Sequence, residues 1–173
     1  HNIHNITDAN DYIARIVGAE QLLQQLLVQL KTRETKGIIA PKFVFSHVIN
    51  SAENIIKGAP FEQGENSTIL ADFVGKLDKI EITDQEKTRL IKQAKQALLV
   101  HVFPAYRGFI SYIKTLEGKA DNTAGVWKLP NGKAFYNYAL QRTTTTNLTA
   151  DEIHRNGLSE VARIHDEMRT IMK

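Results

Sequence analysis

The longest regular pattern in the sequence is an amphipathic run that fits one long helix. It opens with TDQE at Thr83–Glu86, a capping box in which the Thr hydroxyl and the Glu carboxylate satisfy backbone amides. Pro104 lies inside the run, where it lacks an amide hydrogen and crowds the carbonyl of Val100, so a kink or break is predicted there. Apolar residues recur at helical spacing on both sides of it, up to the glycine at 118: Ile91, Ala94, Leu98, Val102, Ala105, Phe109, Tyr112 and Leu116.

Helical spacing also dominates the first part of the chain. Thr7 or Asp8 can cap a first helix, Pro41 suits the first turn of a second, and Ser67 can cap a third. The predicted inward faces are Tyr12, Ile16, Ala19, Leu23, Leu26 and Leu30; then Phe45, Val48, Ala52 and Ile55; then Ile69, Phe73 and Leu77.

A second capping box, TADE at Thr149–Glu152, opens the last helix. No segment alternates between apolar and polar residues in the manner of a strand. The sequence therefore predicts an all-α fold, an irregular array of about six helices with one long helix kinked near Pro104. The apolar line of the last helix is Ile153, Gly157, Val161, Ile164, Met168 and Ile171.

Composition excludes several classes of function. The chain has no cysteine, which rules out disulfides, Cys-ligated zinc and thiol catalysis. The net charge of +3 is small and the basic residues are interspersed with acids, which argues against nucleic-acid binding. No apolar run approaches the length of a membrane span. The chain starts at His1 and stops at Lys173 while an apolar pattern is still running. A fragment explains both ends, and a small protein whose last helix simply stops is the alternative.

The six histidines do not form a recognisable metal site. His154 and His165 are about three helical turns apart, or roughly 16 Å along one axis, whereas the ligands of one zinc converge at about 2 Å. His47 and His101 have no acidic or histidine partner three or four positions away, and no His-Glu-x-x-His occurs. We therefore expect no metal site, no cofactor and no catalytic residue in this chain.

The most unusual stretch runs from Gly125 to Thr146. Pro130 and the Asn-Gly pair that follows it predict a tight turn with positive φ at the glycine, and Trp127 is expected to anchor that turn against the core. Thr143–Thr146 supplies hydroxyls for exposed backbone groups. The stretch is either a connector between two helices or a binding site. The candidate substrate-binding residues are Tyr136, Tyr138 and Arg142.

The sequence resembles the bacterial family called domain of unknown function 885 over nearly all of its 173 residues, and the resemblance is specific from Gly125 to Met168. The family pattern is Gly-x-x-x-Leu-Pro-x-Gly-x-x-Tyr-Tyr, a Thr pair, then Leu-Thr-x-x-Glu-Ile-His-x-x-Gly-Leu-x-Glu-Val. Phe135 replaces the first Tyr of the pattern, and Tyr136 matches the second. The other matching positions are Gly125, Leu129, Pro130, Gly132, Leu148, Thr149, Glu152, Ile153, His154, Gly157, Leu158, Glu160 and Val161.

The resemblance implies a long helical protein that looks like a zinc-dependent peptidase and is often exported or lipid-anchored in the cell envelope. The metal-binding stretch of such proteins is absent here. Residues 1–173 are then a single helical segment, a middle part of a larger domain, inactive alone and forming structure and a wall of the substrate cleft. Its partners would be the remainder of its own polypeptide or a second copy, with a peptide as substrate and zinc held elsewhere. The alternative is a non-catalytic all-α binding or interaction module.

Overall fold

The computed structural model describes residues 2–172, and this part of the chain contains helices and no strand. The predicted all-α fold is confirmed, with six helices when the interrupted long one counts once. The α-helices are α1 (Ile6–Thr35), α2 (Lys42–Ile55), α3 (Thr68–Leu77), α4 (Asp84–Ala97), α5 (Phe103–Lys119), α6 (Gly132–Thr144) and α7 (Ala150–Ile171). A π-helical segment, Leu98–Val102, joins α4 to α5, and a 3₁₀ turn, Val126–Lys128, precedes α6. No helix within residues 2–172 is long and apolar enough to cross a membrane.

The long helix is interrupted where the proline predicts it. The α-helical pattern stops at Ala97 and becomes π-helical from Leu98 to Val102, with the amide of Phe103 donating to the carbonyl of Leu98. Pro104 then lies in the first turn of α5, where a missing amide hydrogen is tolerated. The wider π turn thus accommodates the proline while the chain stays helical on both sides.

The backbone divides into two compact units, one ending at Asn122 and the other beginning at Thr123. The first unit contains α1 to α5 and every buried large side chain of the described residues. The second contains the 3₁₀ turn, α6 and α7. That residues 1–173 form part of a larger helical domain stays a prediction.

The core of the first unit has two apolar clusters, and α1 contributes to both. Its N-terminal half packs on α3, α4 and the π segment, and its middle packs on α2 and α5. The buried members of the first cluster are Ile3, Ala9, Ile16, Leu70, Phe73, Leu77, Leu90, Ala94, Ala97, Leu98 and Val102. Those of the second are Leu23, Phe45, Ile49, Ala52, Phe109, Ile110, Ile113 and Leu116.

Most residues that were predicted to face inward belong to this core, and the exceptions lie at the edges of the predicted faces. Leu26 was expected to face inward on α1 but is 41% exposed. On α3, Leu70 is buried completely, whereas the expected Ile69 only packs against the cluster from outside. Because α3 is short and packs on one side, a rotation of one residue position decides which of the two neighbours is covered.

Three of the predicted helix starts are present with their side-chain hydrogen bonds. Ser67 accepts from the amide of Leu70, and Thr83 and Thr149 form reciprocal capping boxes with Glu86 and Glu152. The first helix begins earlier than predicted, because Asn5 rather than Thr7 or Asp8 is its cap. The side chain of Asn5 accepts from the amide of Asp8 at 2.9 Å.

Candidate functional site on the sixth helix

The turn before α6 is built from two residues with different tasks. Asn131 adopts the left-handed conformation, with φ of 59°, and Gly132 begins the helix. A Cβ at position 132 would lie 1.9 Å from the carbonyl oxygen of Val126, so no side chain fits there. The prediction that the glycine supplies the positive φ is therefore wrong: Asn131 supplies it, and Gly132 allows the 3₁₀ turn to approach the helix.

Trp127 does not anchor this turn against a core, contrary to expectation. Its side chain is 75% exposed. The indole ring instead covers the backbone of Gly125, where an added Cβ would lie 2.3 Å from a ring carbon. Gly125 itself has φ of 121°. The ring therefore packs locally on a residue that lacks a side chain, because the second unit has no apolar core deep enough to receive an indole.

The three candidate binding residues all lie on α6 and all are exposed. Tyr136 is 46% exposed and Tyr138 is 61% exposed. Within residues 2–172, neither hydroxyl has a hydrogen-bond partner and Arg142 has no carboxylate partner. Their side chains can therefore contact a molecule that approaches α6 from solvent.

The helical repeat separates these residues into two directions. Tyr138 and Arg142 are four positions apart and share a face. Tyr136 points about 160° away from Tyr138 and about 120° away from Arg142, at about 100° per residue. Two partly covered residues, Leu140 and Thr144, lie opposite Arg142, on the packed side of the helix. The structure thus brings Tyr138 and Arg142 together and leaves Tyr136 at the border of the packed side.

The threonine run ends α6 and begins the next connection. The Thr144 hydroxyl donates to the carbonyl of Leu140 at 2.8 Å, and its oxygen is 2.9 Å from the hydroxyl oxygen of Thr146. Thr145 adopts the left-handed conformation at the helix C-terminus, and its amide donates to the carbonyl of Gln141. The hydroxyls of this run therefore satisfy backbone groups, as predicted, and act as structural residues.

Within residues 2–172, nothing covers the apolar face of the last helix, α7. It opens with the predicted capping box of Thr149 and Glu152, and hydrogen bonds from Thr149 lower the pKa of the Glu152 carboxyl. No residue of α7 between Ala150 and Ile171 is buried. The exposed apolar side chains are Leu158, Val161, Ile164, Met168 and Ile171.

No group of three or more potential ligands converges on one point within residues 2–172. His154 and His165 lie exposed on α7, at the separation that their spacing predicts. The described residues therefore do not fit the zinc site that the family resemblance implies. The prediction that this chain holds no metal stays a prediction, to be tested by titration.

Several polar pairs join distant parts of the first unit and could not be predicted from the sequence, and three of them involve a histidine or a tyrosine. His101 Nδ1 lies 2.6 Å from Glu20 Oε2. Tyr112 donates a 2.5 Å hydrogen bond to Glu34, and Tyr12 donates one of 2.7 Å to Asp72. The partners are at least 60 positions apart, so no local spacing rule could have detected them.

The two tyrosine pairs alter the ionisation of their members. Burial, and then the hydrogen bond to Glu34, raises the pKa of Tyr112 to about 12. Hydrogen bonds from Lys119 and Tyr112 lower the pKa of the Glu34 carboxyl. Tyr12 likewise has a raised pKa, and Lys76 and Tyr12 lower that of Asp72. Each carboxylate accepts from a tyrosine on another helix and from a lysine, so both pairs connect two helices.

Fold and site together define an all-α protein with a packed helical unit and a second unit whose aromatic and basic side chains face solvent. Residues 1–173 match the sequence model of the family described as "Bacterial protein of unknown function (DUF885)". The chain belongs to that family. A search of curated proteins finds no match.

A solved structure described as the putative lipoprotein from Colwellia psychrerythraea has the same fold. The alignment has a TM-score of 0.81 and 24% sequence identity, and it covers 96% of this chain. It covers 28% of the other chain, so the present sequence spans less than a third of that protein's length. At this identity the similarity establishes the fold alone.

Proposed function

We propose that this chain is a helical, non-metal-binding part of a metallopeptidase-like protein of the cell envelope, with α6 bordering the substrate cleft. The observation that carries the proposal is the exposure of Tyr136, Tyr138 and Arg142 on one helix without partners among residues 2–172. A Tyr hydroxyl can donate to a developing oxyanion, and an Arg can bind a peptide carboxylate. Membership in the family and the similarity to the putative lipoprotein from Colwellia psychrerythraea support the envelope location.

The uncovered face of α7 supports a role inside a larger assembly. α7 exposes five large apolar side chains. A helix surrounded only by water normally exposes fewer, because exposed apolar surface is unfavourable. We propose that the remainder of the same polypeptide covers this face. The same observation favours the second candidate, a non-catalytic interaction module, in which a different protein or a second copy covers it.

Zinc chemistry in the whole protein would use ligands outside residues 2–172, since no three ligands converge within them. Calorimetric titration of this 173-residue chain with zinc tests that statement. We expect no stoichiometric site with submicromolar affinity, the equivalent of about −8 kcal/mol. Such a site in this chain would contradict the proposal.

The catalytic part of the proposal is tested with Tyr136→Phe in the full-length protein. Peptide cleavage and thermal stability are measured on the same samples, with Tyr138→Phe as the matched variant on another face of α6. A rate reduced roughly tenfold or more at unchanged stability supports contact with the transition state. A loss of about 1 kcal/mol of stability at unchanged rate indicates a structural hydrogen bond and contradicts it. No change in either quantity contradicts it as well.

A further inference from the structure

The segment around α6 has an unusual charge composition. Between Thr123 and Thr149 there are three basic residues, Lys128, Lys133 and Arg142, and no Asp or Glu. The whole chain contains 19 acidic residues, so the absence of acids here is a local property. Two of the three, Lys133 and Arg142, lie on α6, so a ligand that approaches this helix meets positive charge on a segment that carries no carboxylate of its own.

One face of α6 combines aromatic rings with a guanidinium. Phe135, Tyr138 and Arg142 follow one another at spacings of three and four, which places them along the same line of the helix. Phe135 and Tyr138 are each 61% exposed. The line is opposite the partly covered residues Leu140 and Thr144, so it faces solvent.

Arg142 has no carboxylate partner within residues 2–172, in contrast to Arg163 and Arg169 of the neighbouring helix. Arg155 of that helix donates to the backbone carbonyl of Asp151. Arg163 binds Glu160 at 2.8 Å and Glu167 at 2.6 Å, and Arg169 binds Asp166 at 2.9 Å. A guanidinium presents a planar pair of N–H donors that matches the two oxygens of a carboxylate. The two rings that precede it along the strip offer an apolar surface about one and two helical turns away.

We propose that the strip formed by Phe135, Tyr138 and Arg142 binds the free carboxyl terminus of a peptide with apolar side chains at its end. Arg142 pairs with the terminal carboxylate, and the rings of Tyr138 and Phe135 contact the last side chains. This inference rests on the proposed function, because it names the substrate class of the cleft wall. Tyr136 takes no part in it, since it points away from the strip.

The experiment compares two forms of one peptide on the full-length protein, without added zinc and without a measurement of cleavage. The probes are N-acetyl-Ala-Leu-Phe with a free carboxylate and the same tripeptide as the C-terminal amide, titrated by calorimetry at low salt. We expect the free acid to bind at least about tenfold more tightly than the amide, since only the acid can form the charge-assisted pair.

Lys133 provides a matched control because it carries the same charge on the opposite side of α6. Arg142→Gln should abolish the preference for the free acid, and Lys133→Gln should preserve it. Tyr138→Ala should weaken both peptides by the same factor, because it removes apolar contact and leaves the charge pair. Circular dichroism melts of the three variants should match the wild-type melt, since all three positions are exposed.

Three results would overturn the assignment: equal affinity for acid and amide, no binding of either at millimolar concentration, or equal losses for Lys133→Gln and Arg142→Gln. Binding of an acidic oligosaccharide such as an oligogalacturonate, with no binding of the peptides, would also overturn it. The outcome is separable from the cleavage test. Preference for the free acid with an unaffected Tyr136→Phe rate leaves a carboxylate-binding strip without the proposed catalysis.

Discussion

The Nδ1 atom of His101 lies 2.6 Å from Oε2 of Glu20, which joins the π-helical segment to the middle of α1. The two side chains are 32% and 38% exposed, so the pair is partly shielded from water. It lies where the long helix departs from α-helical geometry. The contact therefore connects the π-helical segment to α1, at the point where the backbone hydrogen bonding changes from the α-helical to the π-helical pattern.

We predict that breaking this pair destabilises the protein by about 1 kcal/mol, between the value of an exposed ion pair and that of a buried charge-assisted hydrogen bond. Glu20→Gln, His101→Gln and the double variant form a mutant cycle, measured by urea denaturation. The Arg169–Asp166 pair is the control, because its side chains are 68% and 76% exposed and its removal should cost almost nothing. A coupling energy no larger than the control's would show that the pair does not fasten the π segment.

Alkaline solution should destabilise the first unit through Tyr112. Its pKa is raised from 10.0 to about 12 in the folded protein, so between these values the folded state retains a proton that the unfolded chain has released. The free energy of unfolding therefore falls as pH rises through this window. We expect the free energy of unfolding to fall less steeply with pH in Tyr112→Phe than in the wild type, measured by urea denaturation at pH 9, 10 and 11.

Glu34 separates the two causes of this shift. Burial is the larger cause and the hydrogen bond to Glu34 the next, so Glu34→Gln should make the fall only partly shallower. A Glu34→Gln variant as insensitive to alkali as Tyr112→Phe would mean that the carboxylate, and not burial, controls the titration. Identical pH dependence of the wild type and Tyr112→Phe would refute the raised pKa itself.

The two capping boxes should contribute differently to stability although their hydrogen bonds are alike. Thr83 caps α4, which buries Leu90 and Ala94 in the core, whereas Thr149 caps α7, which buries no residue. Thr83→Ala should lower the global free energy of unfolding by about 1 kcal/mol. Thr149→Ala should leave the global value unchanged and accelerate amide hydrogen exchange in the first turns of α7.

Hydrogen exchange followed by mass spectrometry, together with urea denaturation, distinguishes the two capping variants. If Thr149→Ala lowered global stability as much as Thr83→Ala, α7 would have to unfold cooperatively with the core. That result would be at odds with a helix that lacks buried side chains.

The sequence predicts those parts of the fold that depend on interactions between residues a few positions apart. Ser67, Thr83 and Thr149 cap their helices because each hydroxyl reaches an amide three positions later. Phe45, Phe73 and Leu77 are buried because apolar spacing at three and four positions leaves only one face to cover. The interruption near Pro104 follows from the missing amide hydrogen.

The remaining features depend on which helices meet, and no local rule contains that information. Glu20 and His101 are 81 positions apart, and their pairing requires α1 to pack beside the π segment. Trp127 was expected in a core because of its size, yet its unit buries no large side chain that could surround it. On α6, the residue types predicted a binding surface. That Tyr136 points away from Tyr138 and Arg142 became clear only from the extent of the helix and from which of its sides is packed.

The turn before α6 offers a prediction in which two glycines in the same unit respond in opposite ways. A Cβ at Gly132 would lie 1.9 Å from the Val126 carbonyl oxygen, whereas at Gly157, in the middle of α7, nothing lies within 4 Å. Gly132→Ala must displace the 3₁₀ turn, and Gly157→Ala should stabilise α7 by about 0.5 to 1 kcal/mol through its higher helix propensity.

Trp127 reports on this turn directly, because it is the single Trp of the chain and packs on Gly125. In the wild type we expect ready quenching by acrylamide, since the side chain is 75% exposed. Gly132→Ala should change both the emission maximum and the quenching constant, because the backbone that carries the indole has to move. Gly157→Ala should leave both unchanged and slow amide exchange in α7. Unaltered fluorescence in Gly132→Ala would mean that the first turn of α6, and not the 3₁₀ turn, moves to make room for the added methyl group.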